Sequence, residues 1–495
     1  MEQKQEGDRL GKEFLKAEKK HILMITNHGI HQWDVITSLP DTGGQNVYVN
    51  QLTDVLKDFG YKITIVNRGG YRHPQTGEMR TGFRYKNAYE RIFYVEDGTR
   101  DFVRKEDMKE QIPELVESLY GMLESERQQV DVIMSHYWDA ALLGVKLNEK
   151  LPSPVPHLWV PHSLGAVKKR NMPPETWEKL RVDERIATEK EFIDKLDYVA
   201  ATSSLIRDSL REDYGREMSL FLPPCVNPQR FFPREIDPDH DIWDFLAKSS
   251  GVSKEELQRS RFITEISRTD QTKRKDVLIR AFARARRDHP DIRLLISIDK
   301  SGEKLYSELT GLIDELGLKE AVIVLGHEAA RLPFLYALTA VYCSPSIMEG
   351  FGMSVQEAAA TAVPVIGSDK IPFVNEYLLT DEYEELPAAS GGGGDAERPA
   401  ESAGVSAPAG ASVPAGMSDG GSAAPAESVK IGAGGIVVPS DYEEGFTQAI
   451  LYLLENEERR AAMGRRALDI TIPYFTWDQM TRKLLKKMGM DPDER

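Results

Sequence analysis

Glu349 and Glu357 stand eight positions apart in the stretch 341–366, VYCSPSIMEGFGMSVQEAAATAVPVI. Between them Gly350, Phe351 and Gly352 form a turn, Met353 follows, and a helix restarts. Free N–H groups at a helix start favour an anion. A carboxylate on either side of that anion suits hydroxyl-bearing groups, and phosphate between hydroxylated groups describes a nucleotide sugar. An ordinary strand-to-helix turn with solvated glutamates accounts for the same stretch equally well. Arg268 and Lys273 lie in SRTDQTKRK, residues 267–275, just behind another apolar run. There a planar guanidinium fork and a point-charge ammonium can meet one diphosphate, although a bare basic run says little. His136 and His162 each follow an apolar run, the second leading into Ser163 and Gly165. A single histidine is usually structural, whereas two at matching strand edges point to a site. Gly43-Gly44-Gln45 after the first run lets a ligand approach backbone at a helix start.

These groups need a scaffold of apolar strands, polar turns and amphipathic helices, the pattern of a parallel α/β sheet. Strands are predicted at 21–26, 62–66, 91–95, 130–134, 157–160 and 198–202, with a helix at 47–59. The pattern restarts after the proline-rich 223–228, a stiff crossover, with strands at 262–266, 293–298, 321–325, 340–343, 363–367 and 434–439. Helices are expected at 442–454 and 457–471, with a last one ending near Met488. Residues 69–87 read as an irregular excursion or a hairpin. From 387 to 427 the chain is Gly, Ala, Ser and Pro with almost no large apolar residue, which predicts a disordered insertion.

The chain has 495 residues, 41% of them hydrophobic, enough for two sizeable cores. A net charge of -16 argues against a general nucleic-acid or anionic-membrane binder. Cys225 and Cys343 are far apart and without metal-ligand spacing, so a reducing cytoplasm is the default. The first 20 residues are too charged for a secretory signal and are expected to form a solvated helical leader. No apolar run is long enough to span a bilayer. Arg100, Arg104 and Lys105 form one basic cluster, and Lys168, Lys169 and Arg170 another. Arg185 and Glu189 are one helical turn apart and suited to pair with each other.

Four motifs in order resemble the sucrose-phosphate synthase and mannosylfructose-phosphate synthase group of retaining glycosyltransferases, in glycosyltransferase family four. They are PDTGGQNVYV at 40–49, PHSLG at 161–165, SRTDQTKRK at 267–275 and EGFGMSVQE at 349–357. SHYWDA at 135–140, CVNPQRFFP at 225–233 and the late FTW are similar as well. The resemblance spans nearly the whole chain outside the leader and the insertion. It implies an α/β GT-B fold, two Rossmann-like domains facing across a cleft, with the last helix crossing back. Residues 21–227 would form the acceptor domain, 228–472 the donor domain, and 473–495 the returning helix.

The resemblance also implies roles. Gly44 would lie by the diphosphate and Gln45 toward the acceptor, with His136. His162, Arg268, Lys273 and Glu349 would carry the chemistry. Phe351, Gly352, Met353 and Glu357 would bind the donor, Glu357 through its ribose. An acceptor such as fructose 6-phosphate would draw on Arg100, Arg104, Lys105, Lys168, Lys169, Arg170 and Arg185. No metal or other cofactor is expected, because two cations and helix N-termini already face the departing charge. UDP-glucose is the expected donor. GDP-mannose is the alternative, since SLGAVKKRNM and SHYWDA look closer to the mannosylfructose-phosphate branch; transfer to free fructose or another small polar acceptor is a further one. Two departures look structural: Ala362 stands where the family usually has glycine, and so does Cys225. An epimerase, a phosphorylase or a catalytically silent homologue could share the fold. The intact charged set argues against the silent one, and the pyridoxal-lysine pattern of a phosphorylase is missing. The sequence leaves the oligomeric state open.

Overall fold

The computed structural model describes residues 2–36, 39–300, 303–326, 328–386 and 428–490. The first eight strands are β1 His21–Ile25, β2 Lys62–Arg68, β3 Gly82–Asn87, β4 Glu90–Val95, β5 Val132–His136, β6 His157–Val160, β7 Tyr198–Ala201 and β8 Leu220–Phe221. They form one sheet in the order β3-β4-β2-β1-β5-β6-β7-β8, parallel except where β3 turns back on β4. β1, β2, β5 and β6 are buried along their whole length, which is why β1 and β6 read as near-continuous apolar runs rather than alternating ones. The excursion after β2 resolves into a loop and the β3–β4 hairpin.

The second sheet holds β9 Arg261–Glu265, β10 Ile292–Ser297, β11 Val322–Leu325, β12 Thr339–Ser344, β13 Val365–Ser368, β14 Glu384–Leu386, β15 Val429–Ile431 and β16 Gly435–Val438. Its order is β11-β10-β9-β12-β13-β16-β15-β14, with only the last two strand pairings antiparallel. The glycine- and alanine-rich stretch 387–427, expected to be disordered, lies outside the described residues. The strands that flank it pair with each other, Leu386 opposite Val429. Among its parallel strands each sheet reverses order once, between β1 and β5 and between β9 and β12, and ligands of open α/β sheets bind at such points.

Two crossings join the halves. Val226 N–H donates to the Phe475 carbonyl at 2.9 Å, and Val226 bridges to Thr476. The helix Trp477–Lys487 then packs on the helix Gly44–Asp58. Trp477 Nε1 donates to Gln51 at 2.9 Å, and its ring meets Tyr48 edge-on at 4.8 Å. That second helix starts at Gly44, three residues before the expected position. The Asn46 side chain accepts from Gly43 N–H at 2.9 Å and caps the added turn.

One expectation needs correction, and another gains its physical cause. The N-terminal helix Glu2–Lys16 is not solvated all round: Phe14 is fully buried, 4.0 Å from the Arg91 guanidinium and 5.6 Å from the His21 ring. Phe14→Ala is expected to lower stability by about 3 kcal/mol, measured by denaturant unfolding, against about zero for a helix free in solvent. The departure at Ala362, expected to be structural, has its cause in the backbone. The residue has φ 58°, the left-handed region, so the glycine found there in the resembling family has a conformational cause, at a cost to alanine of about 1 kcal/mol. Among the described residues no helix is long and apolar enough to cross a membrane.

Candidate functional site

Arg268, Lys273 and Glu349 leave the C-terminal ends of β9 and β12, the adjacent strands at the second reversal point. The two loops are tied together: Ile347 N–H donates to the Thr272 carbonyl at 2.8 Å, and Ser346 Oγ donates there at 3.2 Å. Lys273 Nζ is ion-paired with Glu349 Oε1, with both side chains mostly out of solvent. Arg268 is different. Its side chain is 54% exposed and its nearest carboxylate, Asp270, is 3.8 Å away. A methyl group placed on Gly43 would lie 3.6 Å from Arg268 Nε, so this cation faces the first sheet's glycine turn across the cleft.

The glycine turn ahead of the helix Met353–Ala360 requires Gly352. Its φ is +112°, and a Cβ there would lie 2.7 Å from Ile371. Phe351 offers only its backbone to a ligand, because its ring is buried among Phe373, Tyr377 and Phe475. The Met353 sulfur faces Gly44, where an added Cβ would come to 3.2 Å. Glu357 is half-buried and accepts from the Tyr336 hydroxyl at 3.3 Å. Burial pushes its carboxyl up to about 7 against the opposing pull of Arg230 and Tyr336.

On the opposite wall, His162 follows β6 with φ 54°, and its carbonyl would lie 3.3 Å from a Cβ on Gly350. His162 Nε2 and His136 Nδ1 are 2.9 Å apart, and His136 Nε2 is 2.8 Å from the Met24 sulfur. A thioether only accepts, so His136 carries its proton on Nε2, its Nδ1 accepts from His162 Nε2–H, and His162 Nδ1 is left as an acceptor. Burial, helped by His28, holds His162 down at about 3, so the ring is neutral and is no proton donor as an imidazolium. Gln45 Nε2 donates to Thr26 Oγ1 at 3.0 Å and the His136 carbonyl at 3.4 Å, which seats it beside this pair.

The cations divide into two groups. Lys105, Lys168 and Arg185 line a small concavity built around Tyr137. Lys168 Nζ donates to the Tyr137 hydroxyl at 2.7 Å and Arg185 Nη1 donates to it at 2.6 Å. Arg185 also pairs with Glu189 at 2.8 Å, and Lys105 is ion-paired with Asp41. Burial pushes the Tyr137 phenol up, but Arg185, Lys168, Lys105 and His28 reverse this and bring it down to about 7. The structure does not bring Arg100, Arg104, Lys169 or Arg170 to this cavity. Their side chains are 40% to 65% exposed and pair with other carboxylates: Glu96 at 3.0 Å, Glu106 (shared with Lys105) at 3.5 Å, Asp183 at 2.5 Å and Asp213 at 2.7 Å respectively. Sequence reasoning missed Tyr137, the centre of the pocket. Its one signal was a place directly after the strand-end histidine His136.

Residues 42–230 match the family described as Glycosyltransferase Family 4, and residues 252–384 match that described as Glycosyl transferases group 1. The mannosylfructose-phosphate synthase of Agrobacterium fabrum is 29% identical over 366 residues, covering 70% of this chain and 75% of that protein. A probable sucrose-phosphate synthase of Thermosipho melanesiensis is 25% identical over 358 residues, covering 67% and 77%. Among solved structures, the sucrose-phosphate synthase of Thermosynechococcus elongatus superimposes with a TM-score of 0.70 at 19% identity, covering 94% of this chain and 98% of that one. Two doubly wound sheets meet at a cleft walled by glycine turns, and the two sequence matches fall one on each side of it: the chain belongs to the glycosyltransferases of the GT-B fold.

Proposed function

We propose that this chain moves a hexosyl group from a nucleotide sugar to a sugar phosphate with retention of configuration, UDP-glucose and fructose 6-phosphate being the preferred pair. The observation that carries this reading is that Lys105, Lys168 and Arg185 gather around Tyr137 in the first half, while Arg268, Lys273 and Glu349 leave adjacent strand ends of the second. A phosphorylated acceptor needs the first group and a leaving diphosphate needs the second. Both named sequence relatives are synthases of a sugar phosphate, which supports the acceptor class.

In this reading residues 21–227 hold the acceptor and 228–472 the donor, with 473–495 returning to the first half. Arg268 and Lys273 take the diphosphate charge beside the Gly44 backbone. Glu349 accepts bonds from the sugar hydroxyls, and His162 Nδ1 accepts one more. Glu357 takes the ribose, while Gln45 and His136 border the acceptor. The bond from the sugar C1 to the phosphate oxygen breaks as the bond to the acceptor oxygen forms on the same face. The acceptor's proton goes to the leaving phosphate oxygen, with no protein carboxylate as nucleophile. Two cations and the helix start supply the charge stabilisation that a metal gives elsewhere.

GDP-mannose is the second donor reading, its mannose supported by the mannosyl product in the first relative's name. The test crosses UDP-glucose, ADP-glucose and GDP-mannose with fructose, fructose 6-phosphate, glucose 6-phosphate and glycerate, with and without EDTA, followed by nucleotide release, product mass and anomeric configuration. The expected result is an α-linked disaccharide phosphate from UDP-glucose and fructose 6-phosphate at an unchanged rate in EDTA. Product from GDP-mannose instead selects the second donor. Nucleotide release independent of any acceptor overturns the transfer reading.

A further inference from the structure

Tyr336, on the helix Leu332–Ala337, has no part in the roles assigned above, yet it is fully buried against one of the donor carboxylates. Its hydroxyl donates to Glu357 Oε2 at 3.3 Å. Burial, with Glu357, Tyr342 and Glu265 nearby, holds the Tyr336 phenol well above its ordinary range, so the hydroxyl remains a donor. The ring stands edge-on to Tyr342 at 5.8 Å and tilted against Phe231 at 5.9 Å, which leaves it one orientation. The Tyr342 hydroxyl in turn donates to the Ile266 carbonyl at 3.2 Å and accepts from Ile266 N–H at 3.4 Å. Ile266 directly precedes Ser267 and Arg268. Two packed tyrosines thus brace the carboxylate of Glu357 and the loop that carries the phosphate-facing cation.

We infer that Tyr336 is a positioning residue for the donor nucleoside: by holding Oε2 of Glu357 it aims Oε1 at the two ribose hydroxyls. The inference rests on the assignment of Glu357 to the ribose made above. Among the described residues Oε1 has no hydrogen-bond partner, so it is the oxygen left for a ligand. Tyr336 from its helix and Arg230 from the segment after the crossover are the charged and titratable groups acting on Glu357. Both favour the carboxylate, while burial, the larger effect, favours the acid. A carboxylate accepts from both hydroxyls of a diol, whereas the acid must give one position to its own proton. Nucleotide affinity therefore rises as the pH climbs through about 7, where the carboxyl ionises. Removing the Tyr336 hydroxyl moves that rise to higher pH.

The test is calorimetric binding of UDP and GDP, each beside its 2′,3′-dideoxy counterpart, to the full chain and to Tyr336→Phe across pH 6 to 8.5. Tyr336→Phe deletes one oxygen and keeps the ring packing, and thermal unfolding confirms the fold. The wild-type chain is expected to favour the ribonucleotide by about tenfold or more at pH 8, the effect of bonds to a charged acceptor. Tyr336→Phe should remove most of that preference near neutral pH, leave the dideoxy nucleotide's affinity unchanged and shift the pH rise upward. An undiminished preference and an unmoved pH rise in the variant would overturn the role of Tyr336 alone. Equal binding of both nucleotide forms by the wild-type chain would overturn the ribose assignment of Glu357, and the inference with it.

Discussion

Lys273→Ala and Glu349→Ala each abolish transfer in a protein that stays folded, with kcat expected to fall by about 1000-fold, the scale of losing a charge-stabilising group from a water-poor site. The two side chains are ion-paired with each other and mostly removed from solvent, 8% and 16% exposed. Either single change leaves a buried charge without its partner and is expected to cost roughly 3 kcal/mol of stability as well. Stability loss and activity loss separate in the double variant. Lys273→Met with Glu349→Leu has no unpaired charge, so its unfolding midpoint should recover while its turnover does not. Nucleotide binding separates the two roles. UDP affinity should drop in Lys273→Ala, which in the proposed reading loses a cation facing the diphosphate, and should not drop in Glu349→Gln, which keeps that cation and releases it from its ion pair. Near-normal turnover in either folded alanine variant would overturn the site.

The second large effect is expected at the acceptor. Lys168→Met should raise KM for fructose 6-phosphate by about tenfold to a hundredfold, the range of one lost charge-assisted bond, and leave KM for free fructose unchanged. Lys168 is the cleaner choice because, among the described residues, its ammonium is bonded only to the Tyr137 hydroxyl, whereas Arg185 also neutralises the buried Glu189. Tyr137 adds a pH effect with a definite sign. Burial raises the phenol and the surrounding cations bring it to about 7, so it is protonated below that pH and ionised above it. A phenolate repels a phosphate dianion and occupies the cations that would bind it. KM for the sugar phosphate should therefore climb as the pH rises above about 7, and Tyr137→Phe should flatten that climb. An identical alkaline limb in the variant would mean that the phosphate does not meet Tyr137.

The motifs around Glu349, Arg268 and His162 were legible because each needs only local information: an apolar strand, a break, and a charged residue or glycine at its C-terminal end. Those ends converge in any doubly wound sheet, so the gathering of these residues at one edge could be placed from sequence order alone. Convergence of the cations around Tyr137 could not. Arg100, Arg104 and Lys105 are near neighbours in the chain, yet only Lys105 enters the pocket, because the carboxylate that draws it in is Asp41, 64 residues away. Lys168 and Lys169 are adjacent on one helix and therefore point apart, one to Tyr137 and one to Asp183 in solvent. The ionisation of Tyr137 near neutrality belongs to no local pattern, since it comes from cations at positions 105, 168 and 185 brought within reach of one buried oxygen. Strand order and turn chemistry are written in short-range residue types. The charge felt at a buried atom sums over everything packed around it, and only the tertiary structure decides that sum.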